Sequence, residues 1–313
     1  MRIGIDIMGG DFAPEITVAG AISACKQLPE SIELVLIGDE KAISQVLKKH
    51  NIELFRCSII NASERIEMGE NPAKAFQRKP DSSIAVGFHL LNSGKIDGFA
   101  SAGNTGAMLV GSMYTVKSIP GIIRPCISTL VPKENGGNAI LLDVGLNPDC
   151  KPEVLYQYAI LGSIYAESVL NIPNPRVGLL NIGAEEEKGG ILTKAAHEMM
   201  KGTRDFNFIG NVEGNNFFGD NVDVIVTDGF TGNVVLKAAE SFYLLIKKRN
   251  INDGFFEKFN FENYGGTPVL GINAPVIIGH GHSNKTAIIN MIYLTQHVIE
   301  SKITEKIIKA FNK

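Results

Sequence analysis

The sequence lacks tryptophan, and its four cysteines lie far apart without a C-x-x-C pair. In a chain of 313 residues this spacing argues against a disulfide framework and predicts reduced thiols. No run of about 18 apolar residues is present, so no membrane-spanning helix is predicted. Met1 leads directly into the apolar run Ile3–Ile7, without the basic segment of a signal peptide. We therefore expect a cytoplasmic protein.

A positive charge excess is also missing. The chain has 30 Lys and Arg residues and 33 Asp and Glu residues, which gives a net charge of −3. Nucleic acid binding is therefore not predicted, and an acidic partner would need a local basic patch. We find no internal repeat, low-complexity tract or linker, so residues 1–313 are predicted to form a single domain.

Short apolar runs alternate with amphipathic stretches through most of the chain. Continuous runs of Ile, Val and Leu are typical of parallel strands that are buried on both faces. Six strands are predicted, at Ile3–Ile7, Glu33–Ile37, Ile96–Ala100, Ala139–Val144, Val177–Ile182 and Val222–Thr227. Apolar residues at steps of three and four predict helices over 154–165 and 235–245. This alternation indicates an α/β fold, a mostly parallel sheet with helices on both faces.

Polar, glycine-rich sequence follows several of these strands. In parallel sheets, ligands bind at the carboxyl ends of the strands, where free N–H groups of the next helix can hold an anion. Five such loops occur, at Met8–Pro14, Ser101–Ala107, Asp143–Pro148, Asn181–Gly190 and Thr227–Asn233. One glycine-rich loop is a weak signal, but five in succession favour a binding site. Asp143 either links loops or caps a turn, and the structural role is favoured.

One cation stands out in the fourth loop. Glu185–Glu187 precede a predicted helix, whose dipole would stabilise their charge. Lys188 has the opposite sign, and the same dipole disfavours it. It is therefore either a well-solvated side chain or a group kept for charge chemistry, and the latter is favoured beside the other loops.

Together, these stretches resemble the phosphate acyltransferase family, the acyl-ACP:phosphate transacylases known as PlsX. The resemblance rests on MGGDFAP at Met8–Pro14, SAGNTGA at Ser101–Ala107, LDVG at Leu142–Gly145, NIGAEEEKG at Asn181–Gly189, TDGFTGNV at Thr227–Val234, YGGTPVLG at Tyr264–Gly271 and HGHS at His280–Ser283. It covers nearly the whole chain in order.

The resemblance implies a three-layer α/β sandwich similar to the isocitrate and isopropylmalate dehydrogenases, and a homodimer. It also implies transfer of a fatty acyl group from acyl carrier protein to inorganic phosphate. The acyl phosphate would pass to a membrane glycerol-3-phosphate acyltransferase in phospholipid synthesis. Peripheral contact with the inner face of the membrane is left open.

The chain departs from the family in two places. Members usually carry a longer helical insertion before the YGG motif, whereas Arg249–Asn263 is short, so we expect only a short helical insertion near residues 240–263. Because that segment is associated with dimer contacts, membrane approach and carrier docking, those implications are weakened. Thr267 stands where alanine is common, a change that we expect to be tolerated.

The chemistry asks for few specialised groups. Phosphate is itself the nucleophile, so the protein has to orient two substrates and stabilise a developing oxyanion. Lys188 and Asn233 are the predicted catalytic residues. The former would neutralise the oxyanion or the departing thiolate, and the latter would orient phosphate or donate to the oxyanion. The predicted phosphate- and substrate-binding residues are Gly103, Asn104, Thr105, Gly106, Asn181, Asp228, Gly229, Thr231 and Gly232. We expect these loops to converge on one pocket.

No cofactor and no metal are predicted. His280 and His282 are open to an acid–base or metal-binding interpretation, but a structural role is favoured, because no nearby Cys or carboxylate completes a metal site in the sequence. A basic cluster at Lys247–Arg249 and Lys258 is either a carrier docking surface or a solvated helix end. Phe255, Phe256, Phe259 and Phe261 are candidates for contact with the acyl chain, the membrane or a second subunit.

Three other functions compete with this interpretation. A small-acyl phosphotransacetylase that uses coenzyme A would share the chemistry. An NAD-dependent β-decarboxylating dehydrogenase would share the fold, but the required arginine cluster and metal-binding aspartates are not evident. A non-catalytic sensor of phosphate or lipid would keep the loops, although Lys188 counts against it.

Overall fold

The computed structural model of the protein describes residues 1–312, apart from the side chain of Phe261. The chain divides into two compact units. The first consists of Met1–Ser118 and Phe261–Glu300. The second consists of Ile119–Asn260 and the described residues from Ser301 onward. The expectation of one domain with a short insertion stays a prediction.

The described residues form eleven strands and ten α-helices. The strands are β1 (Arg2–Asp6), β2 (Glu33–Gly38), β3 (Cys57–Asn61), β4 (Gly98–Ser101), β5 (Cys126–Pro132), β6 (Asn138–Leu142), β7 (Arg176–Asn181), β8 (Asn207–Glu213), β9 (Val224–Val226), β10 (Thr267–Leu270) and β11 (Val276–Ile278). The helices are α1 (Glu15–Cys25), α2 (Glu40–Lys49), α3 (Pro72–Arg78), α4 (Ser83–Asn92), α5 (Thr105–Gly111), α6 (Pro152–Ser168), α7 (Ile191–Met200), α8 (Gly229–Lys248), α9 (Lys285–Glu300) and α10 (Ile303–Phe311). A π-helical turn over Ser112–Val116 continues α5, and 3-10 turns lie at Gly214–Asn216, Phe256–Phe259 and Phe261–Asn263.

In the first unit, the strand order is β3-β2-β1-β4-β11-β10. The neighbouring strands from β3 to β11 in this order run parallel, and β10 runs antiparallel to β11. Ile5 is paired with Ala100, and Ser101 with Ile278, so β1, β4 and β11 end in one row. The loops that follow these three strands therefore begin side by side, at the carboxyl edge.

The core of the first unit is aliphatic and aromatic. Ile3 and Ile5 on β1 are fully buried, as is Phe99 on β4. Phe99 meets the ring of Phe88 from α4 edge-to-face, at 5.2 Å between ring centroids. This packing fixes the strands from which the carboxyl-edge loops emerge.

In the second unit, the strand order is β5-β6-β9-β7-β8, and β5 with β6 is the antiparallel pair. Val226 of β9 is paired with Leu142 of β6 on one side and with Leu179 of β7 on the other. The three strands run parallel, so three loops again start from one row. Tyr158 and Tyr165 of α6 are buried against this sheet.

The predicted α/β fold, a mostly parallel sheet flanked by helices, is confirmed. All six predicted strands are present, and both predicted helices form within α6 and α8. The apolar residues of α8 are not covered: Phe242 is 66% exposed, and of the 20 residues of this helix only Gly229 and Gly232 are buried. Among the described residues, no helix combines the length and apolar character that a membrane crossing requires.

Candidate active site

In the first unit, a buried carboxylate ties two loops together at the carboxyl edge. Asp6 ends β1 and is 1% exposed. Its Oδ2 accepts a hydrogen bond of 2.6 Å from Ser101 Oγ at the end of β4, and its Oδ1 accepts one of 2.9 Å from the Met8 amide. Ser101 Oγ accepts in turn from the Gly103 amide at 2.9 Å. Burial raises the pKa of Asp6, although these hydrogen bonds oppose the effect.

Asn104 acts as the cap of α5. Its Oδ1 accepts from the Ala107 amide at 3.0 Å, and its Nδ2 lies 2.9 Å from the carbonyl oxygen of Glu67, with two further carbonyls nearby. The side chain is therefore engaged within the protein. What remains for a ligand is the first-turn backbone, the amides of Thr105 and Gly106, which have no partner within the helix.

The histidine motif lies at the same edge of the first unit. His282 Nδ1 is 2.5 Å from Asp11 Oδ2, and the Asp11 amide donates to the Gly281 carbonyl at 2.8 Å. His280 Nδ1 accepts from the His282 amide at 3.2 Å. The sequence gives no sign that Asp11 contacts His282, because most of the chain separates these residues and only the fold brings them together. Among the described residues, no three His, Cys, Asp or Glu side chains are placed to hold a metal ion.

In the second unit, Asp143 holds the loop after β6. It is fully buried, and its carboxylate accepts hydrogen bonds from the amides of Ile127, Leu146 and Asn147 and from the Asn147 side chain. Burial raises the pKa of Asp143, and the donated hydrogen bonds oppose it. This network supports the structural role favoured from the sequence.

The start of α8 packs tightly on that loop. Asp228 caps the helix, since its carboxylate accepts from both the amide and the hydroxyl of Thr231, at 2.8 and 2.9 Å. The Gly229 amide donates to the Asn147 carbonyl at 2.8 Å. A Cβ at Gly232 would overlap the Asp143 carbonyl oxygen. Asp228, Gly229, Thr231 and Gly232 thus build the helix start.

Asn233 extends from this start over the Asp143 loop. A Cβ on Gly145 would lie 3.4 Å from Asn233 Oδ1, so the side chain rests on the bare glycine backbone. Gly145 has a φ of +128°, a conformation that favours glycine. Asn233 is exposed, and its side-chain carboxamide has no hydrogen-bond partner in the described part of the chain.

Lys188 belongs to the loop that follows β7. Asn181 bridges the two ends of this loop, because its Nδ2 donates to the Lys188 carbonyl at 3.2 Å and its Oδ1 accepts from the Ile182 amide at 2.9 Å. The aliphatic stem of Lys188 crosses Gly183, where a Cβ would be 2.6 Å from Lys188 Cγ. The ammonium group is exposed and forms no salt bridge within residues 1–312.

The predicted residues thus fall into two groups. Asn181, Asp228 and Thr231 use their side chains inside the protein. Lys188 and Asn233 present uncommitted polar groups, and their loops start beside each other from the row Leu179–Val226–Leu142. Gly103, Asn104, Thr105 and Gly106 lie in the first unit, and the convergence of all these loops on one pocket stays a prediction. Sequence reasoning missed Asp6 and gave no individual role to Gly145 and Gly183, although both glycines lie in its motifs. The roles of these three residues become visible only through their neighbours in space.

Exposed apolar side chains lie on the second unit's loops and helix starts, whereas the basic cluster lies at and beyond the C-terminal end of α8. Ile182 is 81% exposed, Ile191 is 93% exposed and Phe230 is 66% exposed. In the basic cluster, Lys247 pairs with Glu257 at 2.8 Å, and Lys258 Nζ lies 5.7 Å from the centre of the Phe255 ring. The rings of Phe255, Phe256 and Phe259 pack against one another, and the side chain of Phe261 lies outside the described residues.

Known structures share this architecture. A phosphotransacetylase from Streptococcus pyogenes superimposes with a TM-score of 0.68 at 18% identity, over 96% of this chain and 94% of its own. A 4-hydroxythreonine-4-phosphate dehydrogenase from Klebsiella pneumoniae gives a TM-score of 0.56 at 15% identity, over 95% of this chain and 98% of its own. At these identities the likeness shows the fold alone.

Sequence relatives are more specific. The family model described as fatty acid synthesis protein matches residues 1–306. A phosphate acyltransferase from Halothermothrix orenii is 44% identical over 100% of this chain and 99% of its own, and one from Endomicrobium trichonymphae is 42% identical over the same shares. The predicted enzyme class, an acyltransferase, is confirmed. The chain belongs to the phosphate acyltransferase family, as its motifs indicated.

Proposed function

We propose that the protein transfers a fatty acyl group from the thioester of an acyl carrier protein to inorganic phosphate, giving an acyl phosphate for phospholipid synthesis. Membership of the phosphate acyltransferase family supports the acyl transfer and the phosphate acceptor. The observation that carries the proposal is the pair of uncommitted polar groups, on Lys188 and Asn233, at one edge of the second unit.

The reaction needs no acylated enzyme residue. An oxygen of phosphate attacks the thioester carbonyl carbon, a C–O bond forms, and a tetrahedral oxyanion results. The oxyanion collapses, the C–S bond breaks, and the thiolate leaves with the electron pair and takes a proton from solvent. Negative charge builds first on the carbonyl oxygen and then on sulfur, so a nearby cation lowers the barrier for both steps.

Lys188 supplies that cation, and Asn233 orients phosphate or donates to the oxyanion. The fixed start of α8 and the bare backbone of Gly145 hold Asn233 in place, which lowers the entropic cost of aligning the substrates. In the first unit, the amides of Thr105 and Gly106 offer donors for phosphate binding, and in the second unit the start of α8 offers donors of the same kind. No cofactor or metal takes part in the proposal.

Replacing either side chain tests these roles. Lys188→Ala and Asn233→Ala are each expected to lower kcat by about 10²- to 10³-fold, the usual cost of one transition-state donor. Lys194→Ala, an exposed lysine in the first turn of α7, serves as the control and is expected to retain activity. Near-normal turnover of both folded variants would remove the assignment.

The identity of the donor is tested directly. Long-chain acyl carrier protein and acetyl-CoA are each mixed with phosphate and enzyme, and acyl phosphate is trapped with hydroxylamine. The exposed apolar side chains of Ile182, Ile191 and Phe230 support a long acyl chain, because a two-carbon group could not cover them. Faster turnover of acetyl-CoA would favour a small-acyl phosphotransacetylase instead.

The carrier, a second copy of the chain and the membrane are the proposed partners. Lys247, Lys248, Arg249 and Lys258 offer positive charge to an acidic carrier, although the Lys247–Glu257 pair offsets part of it. The exposed apolar side chains of α8 support a homodimer, which a mass measurement in solution tests. A monomer at micromolar concentration would contradict it. A peripheral site at the cytoplasmic face would hand the product to a membrane glycerol-3-phosphate acyltransferase, and vesicle flotation checks that contact.

A further inference from the structure

A pair of buried side chains outside the proposed chemistry lies directly beneath the Gly103–Gly106 loop. Asp6 and Ser101 are 1% and 0% exposed, and their oxygens are 2.6 Å apart. We propose that Asp6 and Ser101 are positioning residues, which set the backbone of the Gly103–Gly106 loop for phosphate. The inference rests on the proposed function, since it deepens the role given there to this loop.

The hydrogen bonds form a directed chain. The Gly103 amide donates to Ser101 Oγ at 2.9 Å, so the Ser101 oxygen acts as an acceptor on that side. Its single hydroxyl proton is then available for Asp6 Oδ2. The other carboxylate oxygen accepts from the Met8 amide at 2.9 Å. Asp6 thereby links the peptide groups of two loops, one after β1 and one after β4.

Two glycines show how closely these loops approach. A Cβ on Gly9 would lie 2.5 Å from Asp6 Oδ2, 2.7 Å from the Gly103 nitrogen and 2.8 Å from Ser101 Oγ. A Cβ on Gly103 would be 3.0 Å from Ser101 Oγ and 3.1 Å from Asp6 Oδ2. The backbone of each loop therefore covers the Asp6–Ser101 pair without a side chain between them.

The same contacts define what the loop offers a ligand. Because the Gly103 amide is consumed by Ser101, it is not a phosphate donor in this arrangement, and its peptide plane is fixed. The chain then passes to Asn104, whose side chain is also held, so the amides of Thr105 and Gly106 follow from two anchored residues. Loss of the Asp6 anchor would free the peptide at Gly103 and misalign these amides.

An asparagine at position 6 would keep the shape of the side chain but could not accept both hydrogen bonds. Its side chain has one acceptor oxygen, whereas Asp6 accepts from both the Met8 amide and the Ser101 hydroxyl. One of those donors would face an NH2 group. The matched control is Asp97→Asn, because Asp97 Oδ2 accepts from the Arg2 amide at 2.7 Å, at the opposite end of β1.

The experiment measures KM for phosphate, KM for the acyl donor and kcat. Asp6→Asn and Ser101→Ala are each expected to raise KM for phosphate roughly ten- to hundredfold, with KM for the donor changed less than about twofold. Asp97→Asn should change neither. The Asp6→Asn/Ser101→Ala double variant should lose little more than Asp6→Asn alone, because both substitutions break one chain of contacts.

Phosphate binding by calorimetry provides a second readout that does not need turnover. Phosphate affinity within twofold of the wild-type value in folded Asp6→Asn or Ser101→Ala would overturn the inference, and so would an equal loss in Asp97→Asn. If Asp6→Asn fails to fold, the decision rests on the milder Ser101→Ala variant. Wild-type protein that binds phosphate but forms no acyl phosphate would refute the proposed function and leave the positioning role to be judged by calorimetry.

Discussion

Gly183→Ala provides a test of Lys188 that leaves the lysine itself in place. The added methyl group would lie 2.6 Å from Lys188 Cγ, 3.1 Å from its Cδ and 3.0 Å from Glu185 Oε2. Carbon atoms pack at about 3.5–4.0 Å, so the lysine stem has to move by roughly 1 Å. Gly183 does not adopt a left-handed backbone conformation, so alanine fits the chain at this point.

The displacement should affect the rate far more than stability. A misplacement of about 1 Å in a catalytic group costs on the order of 10² in rate, and kcat is expected to fall by roughly 10- to 100-fold. The stem is the flexible part of an exposed side chain, so the free energy of unfolding should change by less than about 1 kcal/mol. Steady-state kinetics and thermal denaturation on the same preparation measure the two effects.

A matched control lies in the same loop. At Gly190 the position that a Cβ would take has no neighbouring atom within 4 Å, and φ is −83°, so Gly190→Ala should leave kcat unchanged. Gly183→Ala should also cost nothing further in a Lys188→Ala background, because the group it displaces is gone. If the effects of Gly183→Ala and Lys188→Ala on kcat were fully additive, or if Gly190→Ala lowered kcat as much as Gly183→Ala, the reasoning would be refuted.

Two further predictions concern stability and partner charge. Asp223 is 7% exposed, and although burial works to raise its pKa, hydrogen bonds from Arg176 and Lys133 lower it to about 2. A group with a depressed pKa stabilises the folded state above its ordinary pKa of 3.8, and this stabilisation is lost as pH falls toward 2. The free-energy cost of Asp223→Asn, measured by denaturant unfolding, should therefore shrink by about 2 kcal/mol between pH 5 and pH 2. A constant difference would contradict this. If Lys247, Lys248, Arg249 and Lys258 dock the carrier, its KM should rise with ionic strength while that for phosphate stays nearly constant; parallel changes in both would argue against docking there.

The fold could be predicted from the sequence where strands are continuously apolar. Ile3–Ile7 and Val177–Leu180 could be recognised because these residues are buried on both faces of the sheet. β8 carries polar residues at the sheet edge, in Asn207–Glu213, and its sequence has no such signal. β10 and β11 have only four and three residues, too few for a pattern to appear.

The candidate site was predictable as a set of loops but not as a set of contacts. Strand ends and glycine-rich turns located the loops, because parallel strands end at a common edge. The pairing of Asp11 with His282, or of Asp6 with Ser101, depends on which strands are neighbours, and strand order is a tertiary property. For the same reason the sequence favoured a structural role for Asp143 but could not name the four donors that surround its carboxylate.

Glycine in these motifs serves a second purpose besides the approach of a ligand. At Gly9 a Cβ would meet the Asp6 carboxylate and atoms of Ser101 and Gly103 in the adjoining loop. At Gly229 and Gly232 it would meet oxygens of the Asp143–Pro148 loop, so these positions are closed to side chains by the protein itself. Much of each motif therefore serves to pack one loop closely against the next. Loops packed in this way leave few polar groups without a hydrogen bond. In the second unit the side chains of Lys188 and Asn233 are among these few, and they lie on the two loops that follow the strands paired at Leu179 and Val226. Since preorganised donors cost no reorganisation when charge develops, a hydrogen-bonded framework of this kind is what the proposed catalysis by Lys188 and Asn233 requires.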